Sequence, residues 1–125
     1  MSAAARLVVY PNVLFRAGLW KPRTRPSAFE GVGEEGLAWL SEVRKTFGLR
    51  VCTEVASAEH VELCRKSGVD ALWIGARTSG NPFSMQEIAE ALSGTDKPIF
   101  VKNPLNPDLK LWIGAMERLQ KSNCR

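Results

Sequence analysis

A short cationic segment follows an apolar run near the start of the sequence. Residues 16–26 read RAGLWKPRTRP, and four of their side chains are cationic: Arg16, Lys21, Arg23 and Arg25. The segment comes directly after residues 13–15, an apolar run that predicts a buried strand. Pro22 and Pro26 restrict its backbone because each proline fixes φ. A solvated loop needs no such stiffness, whereas a loop that holds several cations toward one anion benefits from it. We therefore predict an anion-binding loop.

Charged residues also stand at the ends of the other predicted strands. Short apolar runs predict four strands, at residues 12–15, 49–55, 71–74 and 99–101. The charged residues at or just beyond their ends are Arg16, Glu54, Arg77 and Lys102. In parallel α/β folds the carboxyl ends of the strands share one edge, where ligands bind. We expect these four side chains to converge there with Lys21 and Arg23, although a surface salt bridge explains any one of them equally well.

The residue types favour a ligand with several negative charges. Arginine offers a planar fork that suits phosphate or carboxylate, and lysine offers a compact point charge. Gly75, Ala76 and Gly80 are small enough to let backbone N–H groups approach a phosphate. The sequence contains neither a glycine-rich P-loop nor a GxGxxG motif, so a nucleotide is not favoured.

Amphipathic helices are predicted between the strands. Helical spacing of apolar residues runs from Gly33 to Phe47 and from Ser57 to Lys66, with Gly48 and Gly68 as the residues that end them. The next helix is predicted to begin at Ser84, which has capping-box spacing to Glu87.

The last helix is predicted to begin with Asn106 as its N-cap and Pro107 in its first turn. Its inward stripe is predicted to be Leu109, Trp112, Ile113, Met116 and Leu119. Residues 1–10 fit either a strand or a helix that ends before Pro11.

This alternation of strands and helices predicts an α/β fold. Short apolar strands between amphipathic helices are typical of a parallel sheet built from βα repeats. Both a flavodoxin-like sheet and a piece of a (β/α)8 TIM barrel fit the pattern. The length of 125 residues suits a single domain spanning 1–125.

Composition places few limits on function. The formal net charge is +4 and the sequence pI is about 9.2, yet no aromatic stacking pattern or recognition motif accompanies the cations, so we expect no nucleic-acid partner. No apolar run approaches the ~20 residues of a membrane span, and residues 1–6 lack the apolar part of a secretory signal. Three cysteines without CxxC spacing indicate reduced thiols, so we expect a cytoplasmic protein.

Several of these segments together resemble one enzyme family. They are RAGLWKPRTRP, the following FEGVG at 29–33, CTEV at 52–55, LWIGART at 72–78 and VKNPLNPDL at 101–109. They closely resemble 3-deoxy-7-phosphoheptulonate (DAHP) synthases of the DAHP synthetase I / KDO-8-phosphate synthase family. The resemblance extends from Pro11 to about Gln120, and KPRT favours the heptulosonate branch over the octulosonate branch.

The resemblance implies a transferase of the shikimate pathway. Enzymes of this family condense phosphoenolpyruvate with erythrose 4-phosphate on a (β/α)8 barrel, in the first step toward chorismate and the aromatic amino acids, and use a divalent metal. The resemblance implies that Arg77, the Ala76 amide and Lys102 hold the phosphate of phosphoenolpyruvate.

The same resemblance implies roles for the cationic segment and the second strand. Lys21 would face the carboxylate of phosphoenolpyruvate, with Arg16 nearby. Arg23 and Thr24 would take the phosphate of erythrose 4-phosphate. Glu54 would lie near the reacting carbon and its water, so Lys21 and Glu54 are the expected catalytic residues.

The sequence departs from the family at the metal ligands. The family's first strand carries a PCS-type motif whose cysteine binds the metal, and no such motif precedes Pro11. Cys52 belongs to a different strand, and His60 is expected to be a surface histidine on a helix. A whole barrel needs about 250 residues. We therefore expect strands two to five of the barrel, no metal bound by this chain alone, and a fragment that is inactive alone.

Two further expectations follow from a half-barrel. The alternative function is a non-catalytic half-barrel domain that binds a phosphate-bearing ligand or a partner chain. The first and last strands of the half-barrel, residues 12–15 and 99–101, would be apolar sheet edges with unpaired backbone groups. We expect a homo-oligomer or association through these open edges, with two four-stranded halves approximating a closed barrel.

Overall fold

Helices and strands alternate in the computed structural model, which describes residues 1–21, 27 and 29–124. In chain order the described elements are α1 (Ser2–Leu7), β1 (Leu14–Ala17), α2 (Glu35–Phe47), β2 (Arg50–Val55), α3 (Ala58–Ser67), β3 (Ala71–Ile74), α4 (Ala76–Ser79), α5 (Pro82–Ala91), β4 (Ile99–Val101) and α6 (Leu109–Lys121). Among the residues that the structure describes, no helix is both long enough and apolar enough to cross a membrane.

The four strands form one parallel sheet in the order β1-β2-β3-β4. A flavodoxin-like sheet would reverse its strand order at a switch point, whereas a TIM barrel adds each strand beside the previous one. The observed order therefore selects the barrel alternative. It confirms the predicted α/β class with parallel βα repeats, and β1 and β4 are the edges, as predicted.

The hydrophobic core lies on one face of the sheet. Residues of α2, α3, α5 and α6 join a single apolar cluster with Val51, Val55, Leu72 and Ile74. These four strand residues share one face because side chains alternate along a strand. The residues between them, including Glu54 and Trp73, point to the opposite face. The helices thus leave that second face for other contacts.

Several helix boundaries match the sequence patterns. Helices α2 and α3 end at Gly48 and Gly68, whose φ angles of 64° and 70° lie in the left-handed region that glycine adopts easily. Ser57 caps α3, since its Oγ accepts a hydrogen bond from the His60 N–H at 3.2 Å.

Two predicted helix starts were wrong. Helix α5 begins at Pro82, with Asn81 as the N-cap; Asn81 Oδ1 accepts from the N–H groups of Phe83 and Ser84. Helix α6 is capped by Asp108 rather than Asn106. In each case a side-chain oxygen two or three residues from the predicted start satisfies the free N–H groups of the first turn.

The first strand also differs from its prediction. Residues 2–7 form a helix whose Ala4 is buried. Asn12, predicted as the start of the strand, has φ of 60°, which is incompatible with extended backbone. The strand begins at Leu14 and continues to Ala17, so Arg16 lies inside it rather than after it. The short helix α4 was not predicted.

The predicted inward stripe of α6 was mostly wrong. Leu119 is buried and Trp112 half-buried, but Leu109, Ile113 and Met116 are 64%, 41% and 37% exposed. The helix instead turns its small residues toward α5: Gly114 and Ala115 line a narrow cavity with Met85. Ala115 is buried at this contact, so a different side of α6 from the predicted stripe faces α5.

The edge strand β4 is partly covered. It pairs with β3 through the Pro98 carbonyl and the Lys102 N–H, so the Val101 carbonyl points away from β3. The indole Nε1–H of Trp112 donates to that carbonyl at 3.1 Å. The prediction of unpaired backbone groups at this edge was therefore wrong for Val101.

Candidate functional site

The centre of the site is a buried carboxylate at the carboxyl end of β2. The Glu54 side chain is only 8% exposed, and its Oε2 accepts hydrogen bonds from Lys21 Nζ at 2.8 Å and Arg16 Nη2 at 3.3 Å. A buried charge is stable only when opposite charges and hydrogen bonds compensate its lost hydration. Two cations face one carboxylate here, so the cluster keeps an excess positive charge.

Glycine at position 75 makes room for this carboxylate. Gly75 follows β3, whose residues pair with β2 so that Trp73 lies opposite Glu54. A Cβ atom at Gly75 would stand 2.3 Å from Glu54 Oε1 and 2.9 Å from its Cδ. The sequence suggested that glycine at position 75 lets a phosphate approach the backbone. The structure shows that it makes room for the Glu54 carboxylate.

Arg16 is held from two sides. Besides its ion pair with Glu54, its guanidinium lies 4.4 Å from the centroid of the Trp73 ring. The Trp73 ring stacks in turn on Phe100, with centroids 5.8 Å apart. Such a cation–π contact orients the guanidinium while leaving its edge accessible, and the Arg16 side chain is 40% exposed.

Backbone hydrogen bonds fix the loop that carries Lys21. The Lys21 N–H donates to the Glu30 carbonyl at 2.7 Å, and the Gly33 N–H donates to the Leu19 carbonyl at 2.8 Å. Residues 19–21 are thus tied to residues 30–33. The Lys21 side chain then passes over Gly18, where a Cβ atom would stand 2.6 Å from Lys21 Cε.

Leu19 anchors the same loop in the core. It is buried and fills a niche against Gly36, where a Cβ atom would lie 2.2 Å from Leu19 Cδ2. Gly31 has φ of +100°, and a Cβ there would meet the Leu19 carbonyl oxygen. Glycine is required at Gly31 because both the backbone conformation and the close approach exclude a side chain.

A histidine lies beside this loop. The His60 ring stacks on the Trp20 ring, with centroids 4.2 Å apart and an interplanar angle of 10°. His60 Nδ1 accepts a hydrogen bond from the Ala56 N–H at 3.0 Å. His60 is half-buried, so the expectation of a surface histidine was wrong. Burial lowers the pKa of His60 from its ordinary value of 6.5, and the Glu59 carboxylate partly opposes that shift.

Three other predicted residues, Ala76, Arg77 and Lys102, lie at the same edge of the sheet. Ala76 and Arg77 open α4 directly after β3 and Gly75. Lys102 follows β4, and its N–H donates to the Ile74 carbonyl at 3.0 Å, next to Gly75. The Arg77 and Lys102 side chains are exposed. Arg23 and Thr24 lie outside the residues that the structure describes.

The described residues do not fit a metal site. No group of three or more His, Cys, Asp or Glu side chains in this part of the chain could hold a metal ion. Burial raises the pKa of Cys52 to about 11 and that of Cys64 to about 12. Both thiols therefore stay protonated near neutral pH, and neither is a ready thiolate ligand or nucleophile.

Sequence reasoning missed the aromatic partners of the site. Trp73 and Trp20 hold Arg16 and the Lys21 loop, but neither was singled out. The strand pattern carried the information for Trp73, because it stands opposite Glu54 once β2 and β3 pair in register. Nothing in the pattern of residues indicated the contact between Trp20 and His60.

Comparison with known proteins agrees with the observed fold. The model of the DAHP synthetase I family matches residues 1–124. The chain belongs to this family. It is 32% identical over 109 residues to a phospho-2-dehydro-3-deoxyheptonate aldolase from Thermotoga maritima, a match that covers 87% of this chain and 31% of the relative.

Solved structures give the same fold. A crystal structure of the T. maritima phospho-2-dehydro-3-deoxyheptonate aldolase (DAHP synthase) superposes with a TM-score of 0.79 at 25% identity, over 98% of this chain and 34% of that one. A truncated 3-deoxy-D-arabino-heptulosonate 7-phosphate synthase from T. maritima gives 0.75 at 24% identity, over 98% and 42%. The chain therefore spans about a third of the length of the full relatives it matches.

Gly75→Ala tests the packing of Glu54. The added methyl group displaces the carboxylate from Lys21 and Arg16, and we expect the free energy of unfolding to fall by about 1–2 kcal/mol. Urea denaturation followed by circular dichroism measures it. Gly114→Ala is the matched control: no neighbour lies within 4 Å of a Cβ there, and alanine favours the helix. Equal stability changes in the two variants would contradict the proposed packing.

Proposed function

We propose that this chain is part of a 3-deoxy-7-phosphoheptulonate synthase and carries much of its substrate-binding edge. The complete enzyme would condense phosphoenolpyruvate with erythrose 4-phosphate. The observation that carries the proposal is the Glu54 carboxylate joined to Lys21 and Arg16 at the carboxyl ends of parallel strands, on the face without helices. Family membership supplies the class of reaction.

The proposed roles follow the resemblance to the family. Lys21 and Arg16 bind the carboxylate of phosphoenolpyruvate. The Ala76 amide, Arg77 and Lys102 bind its phosphate, which their shared position beside Gly75 supports. Arg23 and Thr24 are proposed to bind the phosphate of erythrose 4-phosphate.

The electrostatics of the cluster suit two anionic substrates. Lysine has three N–H donors and arginine has five, so Lys21 and Arg16 keep donors for a ligand after each has bonded to Glu54. Their positive charge offsets the repulsion between the two phosphate-bearing substrates while a carbon–carbon bond forms. This is catalysis by proximity and by a preorganised electrostatic field. Glu54 is proposed to accept a hydrogen bond from the water near the reacting carbon.

We propose that the chain alone does not turn over. The complete family enzyme is expected to use a divalent metal, but the described residues do not fit one, so no step here is assigned to it. The same observation favours a second candidate function, a non-catalytic half-barrel domain that binds phosphate-bearing ligands. Condensation of both substrates by the purified chain with added divalent metal would contradict the expected inactivity.

Phosphoenolpyruvate should change the tryptophan fluorescence of the folded chain, because Trp73 lies against Arg16. We expect Trp73→Phe to lose most of this response, whereas Trp39→Phe, which changes a half-exposed residue of α2, should keep it. Lys21→Ala should weaken binding at least tenfold, since it removes a charged partner of the ligand's carboxylate. A folded sample without any response would contradict the proposed binding.

We also propose that two copies associate through the open sheet edges and the apolar surfaces beside them. Eight parallel strands are needed to close a TIM barrel, and this sheet has four. Beside β4, three apolar side chains of α6 are exposed: Leu109, Ile113 and Met116. Phe100 is 40% exposed on the face without helices. A second copy that brings its β1 edge to this β4 edge would cover these residues and displace the Trp112 indole from Val101.

Ile113→Glu should weaken this association, because it places a charge in the apolar surface of α6. Sedimentation velocity over a range of protein concentrations measures it: we expect the wild-type chain to show a dimer that the variant loses. Gln120→Glu, which adds the same charge at an exposed polar position of α6, should leave the dimer intact. A wild-type chain that stays monomeric at every concentration would contradict the proposal.

A cytoplasmic location and a single partial-barrel domain complete this proposal. Cys52, Cys64 and Cys124 are free, which fits a reducing compartment. The single apolar cluster that joins α1 to α6 supports one domain.

A further inference from the structure

His60 joins two segments of the chain that carry opposite charges of the site. Its ring stacks on Trp20, the residue directly before Lys21. Its Nδ1 accepts from the N–H of Ala56, two residues after Glu54. The His60 backbone N–H is also fixed, because it donates to the Ser57 cap. One side chain therefore contacts both supports of the Lys21–Glu54 ion pair.

The hydrogen bond from Ala56 fixes the protonation of the ring. Since the Ala56 N–H donates to Nδ1, the neutral ring carries its proton on Nε2. A proton on Nδ1 removes this acceptor and turns two donors toward each other. Burial lowers the pKa of His60, so the neutral ring is favoured at neutral pH.

The ionisable groups around His60 come from four elements. Glu59 lies on its own helix and opposes the pKa shift. Lys21 and Glu54 belong to the two segments in contact with the ring. Glu87 of α5 reaches the first turn of α3, where its Oε1 accepts from the Ala58 N–H at 3.4 Å.

We propose that His60 is a positioning residue that, in its neutral form, holds the Trp20–Lys21 segment and the end of β2 in register, so that Lys21 meets Glu54. It touches neither charged group of the ion pair, and it acts through Trp20 and Ala56. Protonation of His60 releases the Ala56 contact and loosens the Lys21 loop. The inference rests on the proposed function only for the ligand that Lys21 binds.

The direction of the pH dependence follows from the lowered pKa. The unfolded chain binds the His60 proton more readily than the folded chain does. The neutral His60 ring therefore contributes stability to the folded state that is fully present above about pH 6.5. That contribution is lost as the pH falls through the lower pKa of the folded state. The position of Lys21 should change as the pH falls through this folded-state pKa.

A pH titration of the wild-type chain by ¹H–¹⁵N NMR tests the coupling without any ligand. We expect the Ala56 amide, the Trp20 indole N–H and the Lys21 amide to shift together, with one apparent pKa below 6.5. Titration of the Ala56 signal alone would overturn the proposal, because His60 would then not act on the Lys21 segment. This arm needs no variant and so does not depend on whether a variant folds.

Two variants separate positioning from simple packing. His60→Phe keeps a ring against Trp20 but has no acceptor for Ala56, so the three signals should no longer titrate together. Glu62→Gln, which changes an exposed side chain of the same helix, should leave the titration unchanged. If the three signals still shift together in His60→Phe, another group moves the loop and the proposal is wrong.

Binding of phosphoenolpyruvate at pH 7.5 gives the functional arm. We expect His60→Phe to bind it about fivefold more weakly than wild type, the effect of one lost hydrogen bond, and Glu62→Gln to bind it equally well. Unchanged affinity in a folded His60→Phe would overturn the positioning role. A wild-type chain that does not bind phosphoenolpyruvate would instead contradict the proposed function, and the NMR titration would still decide the role of His60.

Discussion

The burial of one carboxylate determines much of the architecture around the site. Glu54 lies at the end of a central strand with little access to water, so its charge requires partners that the fold must deliver to it. Arg16 comes from the neighbouring strand and Lys21 from the loop beyond it. Gly18 and Gly75 leave room for this arrangement. A methyl group at Gly18 would collide with the Lys21 side chain, and one at Gly75 would collide with the Glu54 carboxylate.

The one-sided cover of helices explains why polar and apolar groups share the other face. In a closed barrel that face lines the interior, where charged groups at the carboxyl ends bind ligands and the side chains below them pack together. The described chain shows both kinds of residue on this face: the Glu54 cluster, and the aromatic pair Trp73 and Phe100. In this chain the Trp73 ring supports Arg16, so the aromatic pair also contributes to the site.

The sequence predicted what depends on local periodicity and strand position. Apolar runs located four parallel strands, and glycine positions located the ends of α2 and α3. The positions of Arg16, Lys21 and Glu54 at or near strand ends predicted that their side chains lie close together. Features that depend on how distant parts of the chain pack together were not predictable. The side of α6 that is buried depends on its packing against α5. The stacking of Trp20 on His60 depends on where α3 begins. Arg23 and Thr24 stay predictions because they lie outside the described residues.

The sequential order of the strands also bears on how the site assembles and opens. The contact of Val51 with Asp70, between β2 and the start of β3, spans 19 residues, whereas the ion pair of Arg16 with Glu54 spans 38. Doubling a loop costs about 0.6 kcal/mol of closure entropy. Because β1 has one neighbouring strand, its separation from β2 by local unfolding would remove Arg16 from Glu54 and leave the β2–β3 pair intact. An intact ion pair between Arg16 and Glu54 therefore reports that this one edge strand is docked.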